Sequence, residues 1–157
     1  MVRKATNPES VNDALVVAMK SLQRAAQTKA QINDKLARRA YTNEVIDVVL
    51  NKLEAMYLID DEKYAKDYIS YRSRTTPLGS RYLKLKLAQK GVPKEVAEAA
   101  VKEISPDDEL VLARVAAAKR QRTMGRFNPE QRKLKLARFL ASRGFRSDVI
   151  YKLIKEI

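Results

Sequence analysis

The sequence predicts an all-α chain of three tandem three-helix repeats. Apolar residues recur at helical spacing from end to end, one residue pattern returns twice at an interval of about 50 residues, and helix breakers are scarce. The 157 residues hold four Gly and five Pro, with 45% hydrophobic and 32% charged residues. That balance suits a packed helical chain rather than a disordered one, and no stretch alternates with period two.

The elements follow in order. Val11, Leu15, Ala18 and Leu22 mark a first helix after Asn7-Pro8. Ile32 and Leu36 mark a second, opened by Thr28 with Gln31 three residues on, and Val45, Ile46, Val49, Leu50 and Leu53 a third from Asn43. Tyr64, Ala65, Tyr68 and Ile69 follow Asp60 or Asp61; Leu83 and Leu87 follow Gly79-Ser80; Val96, Ala100, Val101 and Ile104 follow Pro93. The last three are Leu110 to Ala118 after Ser105-Pro106, Leu136, Phe139 and Leu140 after Asn128-Pro129, and Val149, Ile150, Leu153 and Ile154 after Ser147.

Internal repetition groups these helices. Lys35-Leu36-Ala37-Arg38-Arg39-Ala40-Tyr41-Thr42-Asn43-Glu44-Val45-Ile46 returns 51 residues later from Lys86 to Ala97, and again after 53 more from Phe139 to Ile150. The expected organisation is a flexible tail over 1–8, then repeats over 9–58, 59–104 and 105–157, forming an elongated, curved row. Gly91 and Gly144 stand where a helix ends and suit a left-handed cap, with Val92 or Phe145 packing back on the helix just finished. Ala40 holds the same place without glycine's freedom, which predicts mild strain or a different turn at that corner.

Charge is segregated. The net charge is +13, yet residues 72–94 carry +7 with no acid and residues 114–146 carry +10 with Glu130 as their one acid, leaving −4 for the rest. Interspersed acids are the usual companion of a merely solvated face, so these windows point to a polyanion, either nucleic acid or an acidic protein groove. The candidate contacts are Arg72, Arg74, Arg81, Lys84, Lys86, Lys90, Lys119, Arg120, Arg122, Arg126, Arg132, Lys133, Lys135, Arg138 and Arg143. Tyr64, Tyr68, Tyr71 and Tyr82 could stack on unpaired bases, although helical spacing favours packing for Tyr64 and Tyr68. Arg122 to Pro129 reads as a mobile basic loop. Asp60-Asp61-Glu62 and Asp107-Asp108-Glu109 open helices, where capping and the helix dipole account for them.

Absences narrow the chemistry. Without Cys or His the chain cannot build a thiolate or imidazole zinc site, a Cys nucleophile or a Ser-His-Asp triad, and no glycine pattern cradles a phosphate. The expectation is a non-enzymatic, cytoplasmic monomer without cofactor, metal or membrane contact. Three-helix units with short corners also describe helix-turn-helix proteins, so direct DNA binding is the alternative reading. Lys predominates in the middle repeat, which suits phosphate contact better than base readout. A hydrolase acting through Asp60, Asp61, Asp107 or Asp108 is a third reading.

Ile59-Asp60-Asp61-Glu62-Lys63-Tyr64-Ala65-Lys66-Asp67-Tyr68-Ile69 resembles the L-D-D-x-x-[FY]-A-x-x-[FY]-[VI] signature of the RecX family, bacterial regulators of the recombinase RecA. Gly79 to Val92 is similar to that family's G-x-x-x-I-x-x-x-L-x-x-K-G-[IV] segment, and Arg138 to Phe145 to its R-F-L-x-x-R-G-F ending. The resemblance runs from about Thr28 to the C-terminus. Tyr57 and Ala40 stand where the family has Gly, and Ile59 where it has Leu, which implies altered corners. Longer relatives carry an N-terminal β-rich segment without counterpart here. The resemblance implies a modulator lying in the groove of the RecA filament on single-stranded DNA, with weak sequence-independent DNA binding. It would inhibit ATP turnover, strand exchange and the co-protease activity toward the SOS repressor, or promote filament disassembly.

Overall fold

The computed structural model describes residues 1–157 and consists of nine helices without a strand. They are α1 Val11–Leu22, α2 Lys29–Arg38, α3 Asn43–Ala55, α4 Asp61–Thr75, α5 Ser80–Gln89, α6 Lys94–Lys102, α7 Pro106–Gln121, α8 Pro129–Ser142 and α9 Ser147–Glu156. None is long and apolar enough to cross a membrane. Local chemistry sets the starts. Thr28 with Gln31 and Asn128 with Gln131 form reciprocal capping boxes, and Ser105 Oγ accepts the Asp108 N–H at 3.1 Å. Three caps differ from the sequence expectation: Ser10 rather than Asn7 caps α1, Thr42 rather than Asn43 caps α3, and Arg146 rather than Ser147 stands at the N-cap of α9.

The chain divides into two compact units, 1–64 with 89–93, and 65–88 with 94–157. In the first, α1, α2 and α3 pack on one another around Ile32, Leu36, Ile46, Val49 and Leu53, each at most 1% exposed. In the second, α7, α8 and α9 enclose Ala113, Leu136, Leu140, Phe145 and Leu153. The repeat register shows in the core: Leu36, Leu87 and Leu140 are equivalent by sequence and each is fully buried.

Each corner between second and third helices is left-handed. Gly91 has φ +81°, Gly144 +79° and Ala40 +66°, and the expected strain at Ala40 is there, since a Cβ disfavours that region. A further such corner ends α3 at Tyr57, with φ +54°. The carbonyl just before each repeat corner is capped from earlier in the chain. Arg143 O accepts the Gly79 N–H at 2.9 Å, Lys90 O accepts the Thr28 hydroxyl at 2.7 Å, and Arg39 O accepts the Ala5 N–H at 2.8 Å. The N-terminal residues thereby supply repeat 1 with the cap that later corners draw from a preceding repeat. Gly79 is required by close approach, because a Cβ there would lie 2.1 Å from Phe145 N.

The two acidic trios carry a second recurring device. Asp60 Oδ1 caps α4 through the Lys63 N–H at 3.0 Å, but Asp61 Oδ1 reaches across to the Lys29 N–H at the start of α2, also at 3.0 Å. Glu109 does the equivalent in the second unit, accepting the Ser80 N–H at the start of α5 at 3.2 Å. Here the sequence reading is corrected: Glu109 is fully buried and joins helices rather than serving only the cap and dipole of its own helix.

Candidate polyanion interface

The basic residues converge where α7 ends and α8 begins. The intervening segment is not the free loop expected from its composition. Arg132 Nε donates to Phe127 O at 2.6 Å and its Nη2 to Gly125 O at 2.9 Å, while Met124 is buried at 2% exposure. Folding the loop back lays Phe127 beside α8 and creates a cleft of about 590 Å³ whose walls include Arg120, Arg126, Phe127, Lys135, Arg138 and Phe139.

Two phenylalanine rings organise the cations. Lys135 Nζ sits 4.4 Å and the Arg126 guanidinium 4.9 Å from the Phe127 ring centre; the Arg120 and Arg143 guanidinium groups sit 5.5 and 5.3 Å from that of Phe139. Each contact contributes about 0.5–1 kcal/mol at such accessible places, enough to bias where a long side chain rests. Arg120 and Phe139 also wall a second lobe of about 290 Å³, with Lys119, Arg143 and the Thr75-Thr76-Pro77 turn. Arg120, Arg126, Lys135, Arg138 and Arg143 have no carboxylate partner. Cations unneutralised by acids, four of them pre-positioned on rings, match an array of phosphates or carboxylates, and ordering them beforehand lowers the entropy lost on binding.

The other predicted contacts fall outside this group or are engaged elsewhere. Arg132 closes the loop, and Lys84 is paired with Glu98 at 2.5 Å across α5 and α6. That pair holds the Glu98 carboxyl below the ordinary carboxylate range through the Lys84 hydrogen bond. Lys86 lies over the Tyr82 ring at 5.1 Å. Lys90 belongs to the first unit, at the α5–α6 turn. Arg74, Arg81 and Arg122 are exposed, and Arg72 and Lys133 are partly buried. Of the tyrosines, Tyr64, Tyr68 and Tyr82 are partly buried and Tyr71 is exposed. The sequence reading missed Phe127 and Phe139 as site residues. The available signal was an aromatic residue placed inside each basic cluster, at Arg126-Phe127 and Arg138-Phe139.

The acids that could have suggested hydrolysis have structural partners. Asp60, Asp61 and Glu109 accept helix-start N–H groups as described, Asp108 accepts the Ser105 hydroxyl at 2.6 Å, and Asp107 lies 3.4 Å from Lys152 Nζ.

Comparison with known proteins gives one consistent result. Residues 14–53, 60–101 and 107–154 match the first, second and third three-helix domains of RecX. The regulatory protein RecX of Chlorobium limicola is 36% identical over 148 residues, covering 94% of this chain and 91% of that protein. That of Thermobifida fusca is 32% identical over 143 residues, covering 91% and 77%. The crystal structure of RecX from Lactobacillus salivarius matches with a TM-score of 0.87 at 25% identity, covering 93% of this chain and 95% of that one.

Proposed function

The chain belongs to the RecX family, and from that premise we propose that it is a negative regulator of the recombinase RecA. It acts by lying in the groove of the RecA filament on single-stranded DNA and restraining ATP hydrolysis, strand exchange and co-protease activity. Bridging neighbouring protomers would hinder the rearrangements that accompany turnover, and the regulator itself carries out no chemistry. The observation that supports this reading is the cleft between α7 and α8, whose cations lack carboxylate partners, with Arg120, Arg126 and Lys135 resting on Phe127 or Phe139. A nucleoprotein filament offers both phosphate and carboxylate groups to such a surface.

The test is the single-stranded-DNA-dependent ATPase of the cognate recombinase titrated with this protein, beside anisotropy with bare DNA at matched salt. Inhibition at less than one protein per recombinase protomer, with only weak binding to bare DNA, is the expected result. No inhibition, together with tight and salt-resistant preference for one duplex, would overturn it in favour of a helix-turn-helix DNA binder.

A further inference from the structure

The groove between α8 and α9 differs from its counterparts in the other repeats. By the repeat register, Asn33 and Asp47 in repeat 1 correspond to Lys84 and Glu98 in repeat 2 and to Ala137 and Tyr151 in repeat 3. The first two pairs are polar, and Lys84 and Glu98 form an ion pair at 2.5 Å. The third pair is apolar and leaves Tyr151 63% exposed.

Burial changes in step. Ile46 and Leu50 are 1% and 4% exposed and Ala97 and Val101 are 1% and 9%, whereas their equivalents Ile150 and Ile154 are both partly exposed. The result is an apolar groove of about 430 Å³ walled by Ala137, Ala141, Ile150, Tyr151 and Ile154, with Arg138 on its rim. No apolar stripe of this kind was evident in the sequence.

Charge says what fits. Lys155 Nζ lies 4.6 Å from the Tyr151 ring centre, and neither Lys155 nor Arg138 has a carboxylate partner. None of the groove's walls is acidic, and Glu156, the last acid of α9, is held by Arg114 at 2.8 Å. A groove with mostly apolar walls, the uncompensated Arg138 on its rim and Lys155 beside its Tyr151 wall is complementary to a protein segment that combines apolar side chains with carboxylates.

We infer that the α8–α9 groove is a protein-docking site that receives an acidic amphipathic segment of the recombinase, separate in role from the polyanion cleft between α7 and α8. This rests on the regulatory reading above. It divides the work between a cleft that senses the charged filament and a groove that grips its protein component.

The test uses the full chain carrying Tyr151→Glu or Ala141→Glu, both at exposed positions, with Tyr151→Phe as the conservative control. Folding is checked by circular dichroism, inhibition by the recombinase ATPase, nucleic-acid contact by anisotropy with bare single-stranded DNA, and self-association by sedimentation. The glutamate variants are expected to need about tenfold more protein or more for half-inhibition, with bare-DNA affinity unchanged and Tyr151→Phe like the parent. Unchanged inhibition by folded glutamate variants overturns the inference while leaving the regulatory reading intact. Equal reductions in inhibition and DNA affinity overturn it by assigning the groove to nucleic acid. A parent dimer dissolved by Tyr151→Glu with inhibition retained overturns it by assigning the groove to a second copy. A parent protein that does not inhibit at all overturns the regulatory reading, and the groove's assigned partner falls with it.

Discussion

Glu109 holds Arg146 at two points: its Oε1 accepts the Arg146 backbone N–H at 2.9 Å, and its Oε2 lies 2.7 Å from the guanidinium Nε. Arg146 is the N-cap residue of α9 and makes no side-chain cap of its own; the α7 carboxylate takes its backbone N–H, the bond that an N3 side chain makes in a capping box. The same Oε1 takes the Ser80 N–H, which ties the starts of α5 and α9 to one buried atom.

Glu109→Ala removes that acceptor from two backbone donors and strands a partly buried guanidinium. The expected cost is about 3 kcal/mol, read as a lower urea midpoint together with faster amide exchange at the starts of α5 and α9. Glu109→Gln keeps a carbonyl acceptor and destabilises less. Equal stability of the alanine variant would mean that water replaces the carboxylate at no cost.

The left-handed corners give a prediction of opposite sign. Ala40 and Tyr57 sit at φ +66° and +54°; Ala40 is exposed and Tyr57 is 87% exposed, so replacing either removes strain without removing packing. Ala40→Gly and Tyr57→Gly should each stabilise the fold by about 0.5–1 kcal/mol after the extra chain entropy of glycine is subtracted. Gly144→Ala should do the reverse and more strongly, because its Cβ would lie 2.4 Å from Tyr82 N. Thermal unfolding of the three variants separates the cases.

These corners also show where the sequence was readable. Gly91, Gly144, the Thr28–Gln31 box and the Asn128–Gln131 box act within a few residues of themselves, so spacing alone reveals them. Glu109 acts on Ser80 and Arg146, 29 and 37 residues away, and one-dimensional spacing made it look like an ordinary first-turn acid. The site was legible as charge and illegible as geometry. Nothing local distinguishes Arg132, turned back onto loop carbonyls, from Arg138 on the cleft wall, or announces that Lys84 meets Glu98 across a turn. Phe139 read as core because its spacing fits the apolar stripe of Leu136 and Leu140, yet its ring supports two guanidinium groups.

Asp61 supplies a pH test. Burial pushes its carboxyl above the usual 3.8, against the lowering effect of the Lys29 N–H bond. A group with a raised folded value binds its proton more readily in the folded chain. Its ionised form therefore subtracts from stability above that value, and the penalty is relieved as pH falls toward the unfolded value. Asp61→Asn keeps an acceptor for Lys29 and removes the desolvated charge. The variant should be at least as stable as the parent at about pH 7, and the difference should shrink as the solution is acidified. Asp61→Ala, which leaves the Lys29 N–H without its acceptor, should be less stable than Asp61→Asn throughout. Denaturant midpoints across the acidic range decide it, and an asparagine variant that is weaker at neutral pH would show that the carboxylate's charge is favourable where it sits.

The cleft predicts unequal consequences for cations that look alike in sequence. Arg120, Arg126 and Lys135 have no carboxylate partner and rest on Phe127 or Phe139, so converting the three to Glu should abolish filament inhibition. It should also flatten the salt dependence of DNA binding by about one unit of log–log slope for every phosphate that is no longer neutralised, with circular dichroism unchanged. Lys84→Glu breaks an exposed pair with Glu98 that contributes little to stability, and it lies outside the cleft walls, so inhibition should stay near that of the parent. Arg132→Ala is the informative third case. It removes the donors that fold the 122–128 segment, so Phe127 and its two cations lose their placement although only one charge is gone. Inhibition should then fall by more than Lys84→Glu produces, accompanied by new protease sensitivity in that segment. If all three variants weaken binding in proportion to charge alone, the interface is a diffuse positive surface and the phenylalanine rings have no organising role.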